Sequence, residues 1–311
     1  RKAIRLTAQL TARDTRLRRW ASPAWIPLPL LPRFAFASTG TMDEPGFLPS
    51  ATVFDRVRAA GGTWYLHAMP TYRVAAALVQ DRFVNEFDGH ESYAFIHIGD
   101  LDRTGHHYGP WSAERKSALR RVDRVLSQII AHAQACARQV DVLILGDHGM
   151  AQVERTVDVR PAIGRLTARG LTFDYFIDAT LFRCWSRDTA VLHAIGDEFD
   201  RIPGLTRVSE VEALRYGLCY RHSRFWDACW QAEEGLVFTP NFHNSHERLL
   251  GMHGYLPECR DNRSAFVLSS ARLPARLRGQ SLHEVDMRRF FATQLTLLGL
   301  PQPSPLSASL L

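Results

Sequence analysis

Apolar runs and helical spacings alternate along most of the chain from residue 50 onward. Short apolar runs at residues 63–68, 93–98 and 140–145 predict strands. Apolar positions three and four residues apart predict helices at residues 50–60 and 112–138. The largely apolar runs 95–98 and 142–145 are typical of central parallel strands that are covered on both faces. This alternation predicts an α/β fold with a doubly wound, mostly parallel sheet, whose ligands gather beyond the carboxyl ends of the strands.

A different pattern interrupts the alternation at about residues 172–235. Two runs over residues 173–181 and 182–186 predict a hairpin. A helix at 189–201 and an extended segment at 206–208 are predicted after it. We interpret this region as a small α+β cap inserted into the main fold. Strands at 236–239 and 265–268, and a helix at 282–297 ended by Gly299 and Pro301, then complete the main fold.

Residues 1–49 differ from the rest of the chain in composition. Residues 1–20 are rich in Arg and have a partial helical spacing of apolar residues, which predicts a helix. Prolines end that helix, because proline lacks the N–H group and forces its predecessor towards extended geometry. We therefore predict two regions, a helix with a Pro-rich connecting segment at 1–49 and the main fold at 50–311.

Charge and cysteine content narrow the possible partners. The 311-residue chain has a formal net charge of +6, but nearly all its basic residues are Arg and they do not interleave with aromatic residues as a nucleic-acid-binding stripe would. We expect no nucleic-acid polymer as a partner. No apolar run reaches the roughly 18–20 residues of a membrane-spanning helix. The 5 cysteines form no CxxC pair, which favours reduced thiols and a cytoplasmic location.

Three short segments, far apart in sequence, carry carboxylate and imidazole groups, two of them directly after strand-like runs. Between them they supply five candidate ligands: Asp102, His106, Asp147, His148 and His253. A loop containing Gly105 would let Asp102 and His106 face one ion, with Asp100 as an alternative ligand in the same loop. Each segment alone has an ordinary explanation as a capping Asp or a packed His. The three together predict a site for zinc or manganese.

The segments Asp102-Arg-Thr-Gly-His-His-Tyr-Gly-Pro110, Gly146-Asp-His-Gly-Met150 and Gly251-Met-His-Gly254 resemble, in order and spacing, the metal motifs of one enzyme family. This is the type I phosphodiesterase/nucleotide pyrophosphatase family of the alkaline phosphatase superfamily, and the resemblance covers roughly residues 50–300. It implies an alkaline phosphatase-like fold and a phosphoric ester hydrolase that uses two divalent metal ions, zinc or alternatively manganese, on a small phosphate ester or nucleotide.

The resemblance also assigns the ligands, and it shows one respect in which this chain departs from the family pattern. It implies that Asp102, His106 and His253 bind one ion and that Asp147 and His148 bind the other. In the family, a further Asp ligand lies on a first strand, and a Thr or Ser nucleophile lies at a helix N-terminus. This sequence shows neither. We therefore expect the nucleophile upstream of Arg1, a chain that lacks its N-terminal strand, and little activity from these residues alone.

Several alternatives stay open at this stage. The reaction could be that of a phosphomonoesterase, a sulfatase-like enzyme or a phosphomutase of the same superfamily, or the chain could be an inactive metal-binding relative. The cap and the loop at 241–246 are candidates for substrate selection. The remaining histidines near the motifs are interpreted as packing or surface residues: His97, His107, His243 and His246.

Overall fold

A computed structural model describes residues 41–48, 50–68, 75–218, 225–242, 249–282, 284–302 and 309–310. The predicted helix at 1–20 and most of the connecting segment lie outside these residues. In chain order the elements are α1 (Val53–Ala59), β1 (Trp64–His67), α2 (Ala76–Glu86), β2 (Tyr93–Ile96), α3 (Asp100–Tyr108), α4 (Ala113–Cys136), β3 (Val142–Leu145), β4 (Ala151–Gln152), β5 (Arg155–Val157), α5 (Arg160–Ala168), β6 (Asp174–Ile177), β7 (Leu181–Trp185), α6 (Thr189–Phe199), β8 (Leu205–Arg207), α7 (Glu210–Arg215), β9 (Ala228–Ala232), β10 (Leu236–Phe238), β11 (Gly251–Met252), β12 (Phe266–Ser269) and α8 (Arg289–Leu297).

The described residues divide into two compact units. The first unit contains residues 104–115 and 147–264, and the second contains residues up to 103, 116–146 and 265 onward. The division falls inside α3, so this single helix contributes residues to both units. Among the described residues no helix is both long and apolar enough to cross a membrane.

The second unit holds two strand pairs. Strands β1 and β2 are parallel, with Trp64 opposite Tyr93. Strand β3 forms as predicted, but the expectation that it lies between parallel neighbours is wrong for its described partner, because β12 runs antiparallel to it. Strand β12 lies more than a hundred residues further along the chain. No local pattern in β3 could have indicated its direction.

Helix α4 covers part of this unit through one apolar face. The face buries Val122, Val125 and Ile129 at the expected helical spacing, together with aromatic side chains from α2. Leu119, which the sequence places on the same face, is instead 55% exposed. The closing helix also differs from its prediction, because α8 begins at Arg289 and residues 282 and 284–288, which the structure describes, are not helical.

The first unit is built on a four-stranded antiparallel sheet in the order β6-β7-β9-β8. The predicted hairpin of β6 and β7 is confirmed, with Asp174 opposite Trp185. Strand β9, which the sequence analysis missed, is buried at every position and carries the fully buried Trp230. Helix α6 begins at Thr189 and is capped by Asp188, whose side chain accepts the N–H of Ala190. The limits of a separate cap remain a prediction.

Two short strand pairs in the first unit position the candidate site. Strands β5 and β10 are parallel, and β4 and β11 are antiparallel with Gly251 opposite Gln152. Strand β4 follows Asp147 and His148, while β11 directly precedes His253. The β4–β11 pair therefore joins the chain segments that carry the second and third predicted motifs.

Candidate metal centre

The first motif is helical rather than a loop, which corrects the sequence-based expectation. Asp102 and His106 lie in α3, four residues apart, so their side chains project from one face. Gly105 does not fold a loop back. Its backbone is approached closely by β11, because a Cβ added to Gly251 would lie 2.3 Å from the carbonyl oxygen of Gly105. The ligand pair is therefore set by helical geometry, and the glycines permit the contact between α3 and β11.

A hydrogen bond fixes the ring of His106. Its Nδ1 lies 2.8 Å from the carbonyl oxygen of Gly251. Because a carbonyl oxygen only accepts, Nδ1 must carry the proton, and Nε2 keeps a lone pair for a cation. The N–H of Leu250 also donates to the carbonyl of His106 at 2.8 Å. Side chain and backbone of His106 are thus both tied to the segment that leads to His253.

Three of the five predicted ligands form one group. Asp102, His106 and His253 each offer a ligand atom, and these atoms all lie within 4.8 Å of one another. Asp102 is placed by the helix it shares with His106, and the rings of His106 and His253 have centroids 5.0 Å apart. One carboxylate and two imidazoles are a donor set that zinc and manganese accept, and three protein ligands leave a position open for substrate or water. These residues fit a divalent cation.

The second motif lies beside this group. After β3 ends, Asp147 is exposed and His148 is half-buried, with 3.5 Å between Oδ2 of Asp147 and Nε2 of His148. The Nδ1–H of His148 donates to the carbonyl of Gly149 at 2.8 Å, which again leaves Nε2 with the lone pair. The imidazole of His148 stacks on that of His253 at 3.6 Å. Within the described part of the chain, Asp147 and His148 belong to no group of three ligands.

Gly149 shows why a glycine follows His148 in the second motif. A Cβ at this position would lie 2.1 Å from the carbonyl oxygen of Asp261 and 2.3 Å from that of Arg263. The Gly149 N–H donates to the carbonyl of Asn262 at 2.9 Å. A short 3-10 turn, Arg260–Asn262, therefore lies against the second motif. The sequence did not indicate this turn, and the only local signal was the glycine after His148.

The other residues considered at the sequence level lie outside the group. Asp100, the alternative ligand, is buried with Oδ1 3.8 Å from the guanidinium of Arg103. His97 donates its backbone N–H to the carbonyl of His67 at 2.8 Å. Asn241, at the start of the loop proposed for substrate selection, donates its side-chain amide to the carbonyl of Phe238 at 2.7 Å. His243 and His246 lie outside the described residues.

The comparison with known families agrees with the motifs. Residues 44–256 match the type I phosphodiesterase / nucleotide pyrophosphatase family. The match includes all three segments that carry the candidate ligands. The chain therefore belongs to this family.

Curated relatives match over a short stretch. Human ectonucleotide pyrophosphatase/phosphodiesterase family member 7 is 40% identical over 63 residues, which is 19% of this chain and 14% of the relative. The mouse protein of the same name is 33% identical over 66 residues, 21% of this chain and 15% of the relative. The matched part thus spans about one seventh of these relatives.

Solved structures show the fold. Murine ectonucleotide pyrophosphatase / phosphodiesterase 5 aligns with a TM-score of 0.65 at 18% identity over 83% of this chain and 72% of that one. The human protein aligns with a TM-score of 0.66 at 19% identity over 82% and 71%. An inactive variant of the murine protein in complex with AMP aligns with a TM-score of 0.54 at 19% identity over 68% and 61%. The expected alkaline phosphatase-like α/β fold is confirmed.

Proposed function

We propose that this chain belongs to a metal-dependent phosphodiesterase that hydrolyses small phosphate esters, with a nucleotide as the substrate class. Family membership supports the reaction. The observation that carries the metal dependence is the group of Asp102, His106 and His253, whose ligand atoms lie within 4.8 Å of one another. The complex of a related fold with AMP supports a nucleotide ligand.

The residues of the group hold and orient the cation. A divalent ion bound there supplies Lewis acidity and offsets negative charge on phosphoryl oxygens. Asp102 lies in the first turn of α3, where the helix dipole stabilises its carboxylate. The bond from His106 Nδ1–H to the carbonyl of Gly251 fixes the tautomer and the direction of the ring, so Nε2 is the ligand atom. α3 and β11 together preorganise the ligands.

We propose Asp147 and His148 as ligands of a second ion, with zinc as the metal in both places. The support is local, since their facing atoms are 3.5 Å apart and His148 stacks on His253. The carboxylate of Asp147 is exposed, so a cation can reach it from solvent. Two ions about 3.5–4 Å apart are the usual arrangement in enzymes that displace groups at phosphorus.

Metal binding is the first test of this proposal. We expect the 311-residue chain to bind Zn²⁺ or Mn²⁺ by isothermal titration calorimetry. Asp102→Ala and His106→Asn should each weaken metal binding by about 100-fold or more. Mutating even the residues that only hydrogen-bond to metal ligands typically lowers metal affinity by about 10–100-fold. His106→Asn keeps an N–H donor for Gly251 and removes only the ligand nitrogen.

Matched controls come from α6, where His193 and Asp197 are exposed. His193→Asn and Asp197→Ala should bind metal like the wild type. Equal affinity in Asp102→Ala, His106→Asn and these controls would show that the group is not a metal site. With metal present, AMP should bind to the wild type and not to Asp102→Ala, whether or not the chain turns over a substrate.

Substrate preference separates the proposal from its alternatives. Metal-dependent hydrolysis of bis(p-nitrophenyl) phosphate should exceed that of p-nitrophenyl phosphate and p-nitrophenyl sulfate. We expect slow turnover because no described residue is assigned as the nucleophile. A highest rate on the monoester or the sulfate would favour a phosphomonoesterase or a sulfatase-like enzyme. Metal binding without any hydrolysis in the presence of an added nucleophile would favour an inactive relative.

A further inference from the structure

Two side chains outside the three metal motifs hold the backbone that follows His253. The N–H of Gly254 donates to Oδ1 of Asn262 at 3.2 Å. The hydroxyl of Thr180 donates to the carbonyl of Gly254 at 2.7 Å. Both backbone polar groups of the residue next to a proposed ligand are therefore bonded to side chains from elsewhere in the first unit.

Asn262 also connects two of the motifs. Its Nδ2 donates to the carbonyl of Tyr255 at 3.2 Å, which adds a second bond to the loop after His253. Its own backbone carbonyl accepts the N–H of Gly149 at 2.9 Å, in the segment after His148. One residue thus contacts the segments that carry the second and the third motif.

Thr180 is itself held firmly. It is buried in the turn between β6 and β7. Its carbonyl accepts the N–H of Ala232 at 2.9 Å and the side-chain amide of Gln231 at 2.9 Å. Strand β9 therefore fixes the position from which the Thr180 hydroxyl reaches Gly254.

The conformation of Gly254 explains why such support matters. Gly254 has φ +85°, a left-handed conformation that glycine adopts freely, so it imposes little restraint on the chain by itself. A proposed metal ligand next to a glycine needs outside restraint to keep its direction. The bonds from Asn262 and Thr180 supply that restraint.

We propose that Asn262 and Thr180 are positioning residues that orient the imidazole of His253 towards His106 and Asp102. This inference rests on the proposed function. Neither side chain belongs to the group of proposed ligands, so the effect passes through the peptide of Gly254. Partners of this outer kind set the orientation of a ligand and thereby the affinity for the metal.

The test measures metal affinity rather than activity. Zn²⁺ affinity of the full chain is measured by competition with a chromophoric chelator, and ligand geometry by the absorption spectrum of bound Co²⁺. Asn262→Leu and Thr180→Val should weaken Zn²⁺ binding about ten-fold or more and shift the Co²⁺ bands. Thr180→Ser keeps the hydroxyl and should restore both properties.

A control separates positioning from general destabilisation. Thr293 is fully buried and donates to the carbonyl of Arg289 at 2.8 Å, in the second unit. Thr293→Val should lower the melting temperature of the metal-free protein without changing the Co²⁺ spectrum. If Asn262→Leu fails to fold, the comparison of Thr180→Val with Thr180→Ser decides.

Two outcomes would overturn the inference and they differ in meaning. If Asp102→Ala loses metal while Asn262→Leu and Thr180→Val bind Zn²⁺ and Co²⁺ like the wild type, the metal site stands and the positioning role is refuted. If the wild type binds no divalent metal, the proposed function fails and the positioning role fails with it.

Discussion

Close backbone contacts at glycine shape the metal centre at the residue scale. Gly149 and Gly251 leave no room for a Cβ, because backbone oxygens lie 2.1 Å and 2.3 Å from where it would be. The sequence shows small residues beside His253, which permit a close approach of another backbone. It could not tell which segment approaches, since the Arg260–Asn262 turn is more than a hundred residues from Gly149.

Gly149→Ala provides a direct test of this contact. We expect the free energy of unfolding to fall by about 1–3 kcal/mol, because the added methyl group displaces the 3-10 turn. Gly164→Ala is the matched control, since Gly164 lies in α5 with open space around its Cβ position. It should stabilise the protein by about 0.5–1 kcal/mol. Urea unfolding of the metal-free chains measures both, and equal effects would contradict the contact.

Two buried thiols give a residue-level prediction about pH. Burial raises the pKa of Cys184 from 9.0 to about 12, and burial does the same for Cys229. Their protonated forms are therefore favoured in the folded state, so they add stability below pH 9 that is lost as the pH rises towards 12. As the pH rises from 8 to 10, each thiol should lower the free energy of unfolding by on the order of 1 kcal/mol.

Urea unfolding at the two pH values, for the wild type and Cys184→Ala, checks this pH dependence. The variant loses packing at both pH values, but its stability should fall less between them. Parallel losses in the two proteins would contradict a raised thiol pKa. Alkylation of the native protein at pH 8 gives a second readout, because the exposed Cys136 should react well before Cys184 and Cys229.

At the element scale, α3 shows a limit of sequence pattern. Its nine residues include Asp, Thr and Gly, which are weak helix formers, and they lack an apolar stripe. Acidic residues in the first turn, His in the last turn and the bonds to β11 nevertheless stabilise it as a helix. The ligand spacing was identified from the sequence, whereas the structure that makes the spacing effective depends on tertiary contacts.

Helix α4 offers a prediction about packing. Ile129 is 6% exposed and packs with Val122 and Val125 on the buried face of α4, while Leu119 is 55% exposed. Ile129→Ala should lower the free energy of unfolding by about 2–4 kcal/mol, through lost burial and the cavity left behind. Leu119→Ala should stay within about 0.5 kcal/mol of the wild type. Chemical denaturation measures both, and a large loss in Leu119→Ala would place it on a buried face.

For the whole molecule, metal binding should be linked to stability. A ligand that binds the folded state at 100 times its dissociation constant adds about 2.7 kcal/mol to the free energy of unfolding. Zn²⁺ should therefore raise the melting temperature of the wild type, and a chelator should reverse the rise. Asp102→Ala should show a smaller zinc-dependent shift, because it removes one ligand of the group and leaves Asp147 and His148 in place. A shift of equal size in that variant would indicate binding elsewhere.

The fold class could be predicted from the sequence more fully than its strand pairing. Strands such as β1 and β2 and the long helix α4 follow from short-range hydrophobic periodicity. The partner of β3 and the fully buried β9 depend on contacts between remote segments. The same distinction applies to the site, because the five candidate ligands lie in compact motifs, while Asn262 and Thr180 carry no local signal.

The helical spacing of the first motif constrains how this chain can change length over evolution. One residue inserted or deleted between Asp102 and His106 would turn one side chain about 100° around the axis of α3 and separate the pair. Lineages should therefore keep the number of residues between Asp102 and His106 fixed.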